Sequence, residues 1–176
     1  MTIEVEIKSF ITKVQFDRLH SFFLKNATFL YQDNQETCYF TGDKDIRSQK
    51  NTDSAKIIFK KGRVHDQQRA EVEVRVLQED YENIQAIFNE LGLVPEIIWY
   101  RKRLAFKWQD IDVCLDHTKG YGYILEMEKL SDKKRQDPDL AYLKAKLADL
   151  NITLTPREEF EKAFAYYRAN WRSLTK

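Results

Sequence analysis

Strict alternation of charged and apolar residues is the pattern that most constrains this chain. In RAEVEVRV, Ala70, Val72, Val74 and Val76 are apolar, while Arg69, Glu71, Glu73 and Arg75 all carry charge. The opening TIEVEIKSF sets Ile3, Val5 and Ile7 against Glu4, Glu6 and Lys8. Successive residues of a strand point to opposite sides of a sheet, so each stretch reads as a strand with one apolar and one charged face. YRKRLAFKW places Arg101, Arg103 and Lys107 opposite Tyr100, Leu104, Phe106 and Trp108, with Lys102 among the latter. DIDVCLDH opposes Asp110, Asp112, Cys114 and Asp116 to Ile111, Val113 and Leu115. YILEMEK opposes Glu126 and Glu128 to Leu125 and Met127, and AKIIFKKG opposes Lys56 and Lys60 to Ile57 and Phe59.

The apolar faces need a cover, and four helical stripes supply one. Thr12 and Gln15 have the spacing of a capping box, with Ile11 and Phe16 placed as a hydrophobic staple; the helix behind them carries Phe16, Leu19, Phe22 and Phe23. A second helix fits EDYENIQAIFNELGL, with Ile84, Ile87, Phe88 and Leu91 at helical spacing and Gly92 as its stop. A third begins at Asp137 and Pro138 and bears Leu140, Leu143, Leu147 and Leu150. The last opens with Thr155 as N-cap, Pro156 in the first turn and Glu158 closing a box, then runs through Phe160, Phe164, Tyr167 and Trp171. These stripes read as core.

With 176 residues and 43% hydrophobic content, the chain reads as one domain over residues 1–176, able to bury a core without staples. Its 29 Lys and Arg balance 28 Asp and Glu, so no net field points to nucleic acid or a membrane. No basic segment followed by an apolar run opens the sequence, and no stretch approaches the roughly 20 apolar residues that span a bilayer. Cys38 and Cys114 lack metal-binding spacing, and His20, His65 and His117 are scattered. The expected setting is the cytoplasm, as a monomer or a homodimer.

Alternation alone is satisfied by a sheet with one solvated face, where mixed charges pair across strands. Three details point further. Acids recur as Glu-x-Glu on three strands, at Glu4/Glu6, Glu71/Glu73 and Glu126/Glu128; carboxylates about 7 Å apart repel by roughly 2 kcal/mol at an effective dielectric near 20. Screened at a surface, that repulsion in a closed space calls for a cation. Many of the bases are Arg, whose planar fork suits phosphate oxygens. The outer apolar faces are matched by four amphipathic helices. A sheet of this kind could close on itself and line a tunnel with charge. Carboxylates would collect a hard divalent cation and Arg/Lys would neutralise a polyanion, which implies a phosphate chain chelating a metal.

The motifs, taken in order, resemble those of the CYTH superfamily, the triphosphate tunnel metalloenzymes. EVEIK resembles the family's Glu-x-Glu-x-Lys signature, DIRSQ its Leu-Arg-x-Arg strand, IIFKKG its Lys-containing strand and RAEVEV its Arg-x-Glu-x-Glu strand. YRKR is similar to its Lys-x-Arg strand with Arg101 in the lysine place, and VCLDHTKGYGYILEMEK to its aspartate, glycine turn and Glu-x-Glu ending. The resemblance implies an α+β fold: a closed antiparallel eight-stranded β-barrel, a tunnel with a charged interior, surrounded by amphipathic helices. It implies a triphosphate ligand (ATP, thiamine triphosphate or tripolyphosphate) bound with Mg²⁺ or Mn²⁺. By position, Glu4, Glu6, Asp116, Glu126 and Glu128 would be metal ligands, although each acid could also be an ion-pair partner inside the tunnel. Lys8, Arg47, Lys60, Arg101 and Arg103 would hold phosphates, with Lys56 and Arg69 as additions. Glu73 would orient a base or a second metal, which makes Lys8, Glu73 and Arg103 the catalytic set. Arg75 and Lys107 read as plain ion-pair partners, and Arg157 or Lys162 as a late basic contact.

Three positions depart from the family pattern. Gln49 stands where the second Arg of Leu-Arg-x-Arg is usual, Thr37 replaces the aspartate ahead of Tyr-Phe, and the His-Phe that often precedes the first strand in class IV adenylyl cyclases is missing. Water attacking the γ-phosphorus would give orthophosphate; a ribose 3′-hydroxyl attacking the α-phosphorus would give cyclic AMP and pyrophosphate. The second route needs a base and ribose pocket as well, and no residues clearly build one, so hydrolysis leads with the cyclase as its alternative. A module that binds triphosphate without turnover is a third option, which loss of an acid would favour; all five are present.

Overall fold

The computed structural model describes residues 3–42, 44–61, 70–132 and 134–176. All eight expected strands are found: β1 (Ile3–Ile11), β2 (Thr28–Phe40), β3 (Asp45–Lys50), β4 (Ala55–Lys61), β5 (Ala70–Val76), β6 (Pro95–Trp108), β7 (Ile111–Thr118) and β8 (Gly122–Ser131). They form one antiparallel sheet in the order β1-β8-β7-β6-β2-β3-β4-β5. This is the α+β architecture expected. β1 and β5 are the two ends of that order, and among the described residues no ladder joins them.

Two helices behave as the stripes require, and a third does so in part. α1 (Lys13–Asn26) starts with the Thr12–Gln15 capping box intact. α2 (Tyr81–Glu90) follows a short 3-10 turn, and α3 (Gln136–Asp149) leads into Leu150 and Ile152. Leu19 and Phe23 of α1 and Leu143 and Leu147 of α3 bury against Val5, Ile7, Phe106, Val113, Leu115, Leu125 and Met127, the apolar faces of β1, β6, β7 and β8. In α2 only the inner edge of the stripe is covered: Ile84 is buried, whereas Ile87 is exposed, as is Leu91 just past the helix end. Gly92 follows with φ +77°, a left-handed turn that suits glycine.

The fourth helix does not join this outer layer. α4 (Arg157–Leu174) packs on the opposite, charged side of the sheet. Its Phe164 and Tyr167 rings meet Trp99 of β6 at 6.2 and 4.7 Å, and Phe160 stacks on Phe10 of β1 at 4.4 Å. Trp99 lies two residues from Arg101, and Phe10 two residues from Lys8, so both share the face of those cations. The expectation that all four helices surround the sheet is corrected accordingly: three cover the outside, and the fourth covers one end of the inside. Thr155 is also not its cap. The Thr155 hydroxyl accepts the Phe10 N–H at 2.9 Å, and the Thr155 N–H donates to Ser9 Oγ at 3.2 Å. These two bonds tie the start of α4 to β1, and Pro156 takes the position before the first turn.

Candidate active site

Register places the charges of the inner face in rows. Lys8 of β1 stands opposite Glu126 of β8, and Glu6 opposite Glu128. Across the next ladder Glu128 faces Asp112 of β7, and Asp116 faces Arg103 of β6. Side chains complete the network. Arg103 grips Asp116 with two parallel bonds of 2.8 and 2.7 Å and reaches Glu126 at 3.2 Å. Arg101 donates to Asp116 at 3.3 Å and to Gln35 at 2.8 Å. Lys8 pairs with Glu6 and lies 3.2 Å from Glu126. So Lys8, Glu6, Glu126, Arg103, Asp116 and Arg101 are one connected cluster, in which Asp116 is 2% and Glu126 7% exposed.

Buried charges survive only with such partners, and the titration behaviour shows the coupling. Burial alone would raise the Glu126 carboxyl, but Arg103, Lys8 and Arg101 outweigh it and draw it well below the ordinary range. Burial would lower the Lys8 ammonium, yet Glu126 and Glu6 lift it above its usual value. Arg103 is raised against burial by Asp116 and Glu126. Glu128 behaves in the opposite way. Burial, then the charges of Glu4, Glu126, Glu6 and Asp112, push it up to about 7.

That rise marks where like charges are left facing one another. One carboxylate oxygen each from Glu6, Glu126 and Glu128 lies within 4.8 Å of the other two, with Glu4 adjacent along β1. Three hard oxygen donors converging at this spacing, one of them raised by burial and by its neighbours' charges, fit a divalent cation. Asp116, expected among the ligands, is engaged by both arginines.

The other expected residues form a second group on β3, β4 and β5. Arg47 is held in bidentate fashion by Asp45 at 2.7 and 2.6 Å, with its guanidinium 4.3 Å from the centre of the Tyr39 ring. Lys56 donates to Glu73 at 2.6 Å, and Arg75 reaches the same carboxylate at 3.2 Å. Burial would raise Glu73, but Lys56 and Arg75 lower it. Lys60 holds the strand position opposite Asp45. Arg69 lies outside the described residues. Arg75 and Lys107 are both ion-paired, the latter with Asp112 at 2.9 Å. Arg157 bonds Glu161 one turn along α4 at 2.7 Å.

Sequence reasoning missed the inner residues of β2. Asp33, Gln35 and Thr37 are buried and form part of the network: Gln35 donates to Asp33 at 3.0 Å, and Asp33 accepts the Thr52 N–H and hydroxyl at 3.0 and 2.9 Å. Two of the three departures from the family pattern turn out to be partners. Thr37 and Gln49 face each other across β2 and β3, and the Thr37 hydroxyl donates to Gln49 Oε1 at 3.1 Å. The pair they make is neutral, a hydroxyl donating to a side-chain amide oxygen. Two buried hydroxyls, of Thr118 and Tyr121, have no hydrogen-bond partner among the described residues. Thr118 stands opposite Arg101, and the Tyr121 ring packs on Phe10 and Trp99, at the border between charged and aromatic halves.

The inner face thus carries an acidic triad that could hold a metal ion, with paired arginines beside it. The chain belongs to the CYTH family, whose domain model matches residues 2–163. A Methanocaldococcus jannaschii protein provisionally named an adenylate cyclase is 34% identical over 170 residues, spanning 86% of this chain and 91% of its own length. A conserved hypothetical protein from Pyrococcus furiosus has a similar structure, with a TM-score of 0.73 at 25% identity over 88% of this chain and 96% of that one. A Hippeastrum protein, provisionally an adenylyl cyclase and described as having a dominant triphosphatase activity, gives a TM-score of 0.65 over 97% of this chain and 96% of its own. At 14% identity that likeness is one of fold alone. Among the described residues no helix is long and apolar enough to cross a membrane.

Proposed function

We propose that this chain is a metal-dependent enzyme acting on triphosphates, with hydrolysis as its leading reaction. One observation carries the reading: the partly buried cluster of Lys8, Arg101 and Arg103 adjoins the convergent carboxylates of Glu6, Glu126 and Glu128 on the same face. Cations beside an acid triad suit a phosphate chain that brings a divalent ion with it, whereas a neutral metabolite would leave both sets unanswered.

In this reading the sheet closes into a tunnel, bringing Arg47, Lys56 and Lys60 round to face Lys8, Arg101 and Arg103. Glu6, Glu126 and Glu128, with Glu4 and Asp116 as further candidates, would hold Mg²⁺ or Mn²⁺. The bound ion would supply Lewis-acid polarisation of phosphate oxygens. Arg101 and Arg103, already oriented by Asp116, neutralise charge developing on the transferred phosphoryl group and cost no reorganisation when it moves. Lys8 does the same from β1. Glu73, whose carboxyl Lys56 and Arg75 hold down against burial, would orient an attacking water. That water's oxygen bonds to the terminal phosphorus as the bridging P–O bond breaks, and orthophosphate leaves. The unpartnered hydroxyls of Thr118 and Tyr121 offer donors to the ligand where the cations end.

The cyclase reading has its own support in the 34% identical relative and its provisional name. Phosphorus NMR of ATP, thiamine triphosphate and tripolyphosphate, each incubated with protein and Mg²⁺ or Mn²⁺, separates the two. The expected product is orthophosphate, lost in a Glu126→Ala/Glu128→Ala variant. Pyrophosphate with cyclic AMP would establish the cyclase instead, and tight metal-dependent binding without turnover would leave a binding module.

A further inference from the structure

Asp33 is a carboxylate 9% exposed, and among the described residues no Lys, Arg or His forms an ion pair with it. Arg103 stands opposite it in the β2–β6 ladder but gives its fork to Asp116 and reaches Glu126. Neutral groups hold Asp33 instead. Its Oδ1 accepts the Thr52 N–H and hydroxyl at 3.0 and 2.9 Å, and its Oδ2 accepts the Gln35 amide N–H at 3.0 Å. Burying a charge costs free energy unless it is satisfied, and an apolar side chain would avoid the cost. What a carboxylate adds here is direction.

A guanidinium can only donate, a carboxylate can only accept, and a glutamine amide does both. Gln35 Oε1 accepts the Arg101 Nε–H at 2.8 Å, so its other end must donate, and Asp33 is the acceptor it meets. The chain therefore runs one way, from Arg101 to Gln35 to Asp33. Thr52, in the turn over residues 51–54 between β3 and β4, closes it from the far side. Gln35 is also the shorter hold on Arg101. The bond from Arg101 Nη1 to Asp116 is 3.3 Å, whereas Arg103 grips the same carboxylate at 2.8 and 2.7 Å. Among the described residues nothing accepts from the Arg101 Nη2 group.

We propose, resting on the triphosphate reading, that Gln35 and Asp33 are positioning residues for Arg101. They fix its guanidinium so that Nη2 meets a phosphate oxygen, and Thr52 extends that hold to the β3–β4 turn. An arginine needs such a hold because its donors form a rigid planar fork, whereas a Lys ammonium turns to suit its acceptor. In Asp33→Asn one side-chain atom keeps accepting from Thr52, while the other becomes a donor facing the Gln35 N–H. The Gln35 amide turns over to answer it and then sets an N–H against the Arg101 Nε–H.

The test is calorimetric titration of the full chain with tripolyphosphate and Mg²⁺, for the wild type, Gln35→Leu, Asp33→Asn and Thr52→Val. Circular dichroism checks that each variant folds, and Thr52 is an exposed turn residue whose replacement spares the core. The dissociation constant should rise about tenfold or more in Gln35→Leu and Asp33→Asn, and by less in Thr52→Val. In an Arg101→Lys background, which has no Nε–H to hold, the first two substitutions should each change affinity less than about twofold. A merely structural role would carry into that background undiminished, so full additivity there overturns the proposal. So does a wild type that binds tripolyphosphate while Gln35→Leu and Asp33→Asn bind it equally well, which would leave the triphosphate reading intact. A wild type that binds no tripolyphosphate overturns that reading and the positioning role with it.

Discussion

The inner face of this sheet holds two environments laid end to end along the same strands. Lys8 on β1, Arg101 on β6 and Thr37 on β2 belong to the polar half; two residues on, Phe10, Trp99 and Tyr39 belong to an aromatic half packed under α4. Backbone, face and twist are shared, so strand geometry cannot explain the contrast. What differs is the cover. The aromatic half buries apolar area against a helix and stabilises the fold in the ordinary way. Among the described residues the charged half has no such cover, and it is held by ion pairs whose mutual attraction does little more than offset their desolvation. A fold gains little from such a cluster, so its presence on one half of a face that could have been wholly apolar speaks for a ligand.

Breaking the charged half should have the largest effect. Arg103→Ala leaves Asp116 and Glu126 buried without their main partner. Chemical denaturation should show a loss of about 3–5 kcal/mol, and triphosphate turnover should fall about 10²–10³-fold in kcat/KM. Arg103→Lys keeps the charge but not the bidentate fork, and should recover stability better than turnover. Trp99→Ala strikes the other half. A loss of about 3–5 kcal/mol is expected, with turnover per folded molecule nearly unchanged. If turnover collapsed while the fold held, the aromatic end would be part of the site and the division drawn here would fail.

Glu128 tests the border between repulsion and ligand binding. Its folded value of about 7 lies above its ordinary 4.5, so between those pH values the folded chain binds more protons than the unfolded one. Stability should therefore fall as pH rises from about 4.5 through 7, and Glu128→Gln should remove that part of the slope. Glu126, shifted downward, contributes only below its ordinary 4.5, so the two windows do not overlap. Divalent cation should raise the melting temperature more at pH 8 than at pH 5, since at pH 8 all three carboxylates can ligate. The smallest effect belongs to Lys107→Met. The Lys107–Asp112 pair is 41% exposed on both sides, and its loss should stay within about 0.5 kcal/mol. Turnover should hold, because not every charge on this face serves the ligand.

Legibility in the sequence followed contrast. Where charge alternates with aliphatic residues, as in EVEIK, RAEVEV and LEMEK, both the strand and its face could be read. In YQDNQETCYF, Asp33, Gln35 and Thr37 alternate with Asn34 and Glu36, polar against polar. There was no contrast to read: Asp33 and Gln35 passed unnoticed, and Thr37 stood out only as a departure from the family pattern. The α4 stripe was legible as a stripe, but amphipathicity says only that a helix has an apolar side. It does not say which surface that side meets. Thr155 shows the same limit: a hydroxyl ahead of Pro-x-Glu has the form of a cap, yet here it bonds a strand 145 residues away in sequence.

By itself, then, the sequence determined the strands whose charge alternates with apolar residues, the capped first helix and the charged face, because side-chain alternation is a local property of an extended backbone. Only the tertiary structure decided which charges meet. Register set Glu6, Glu128 and Asp112 in one acidic row and gave Asp116 to two arginines. The seating of α4 turned one half of the inner face into core and left the other open to a ligand. Such choices depend on contacts between residues far apart in the chain, and no local pattern carries them.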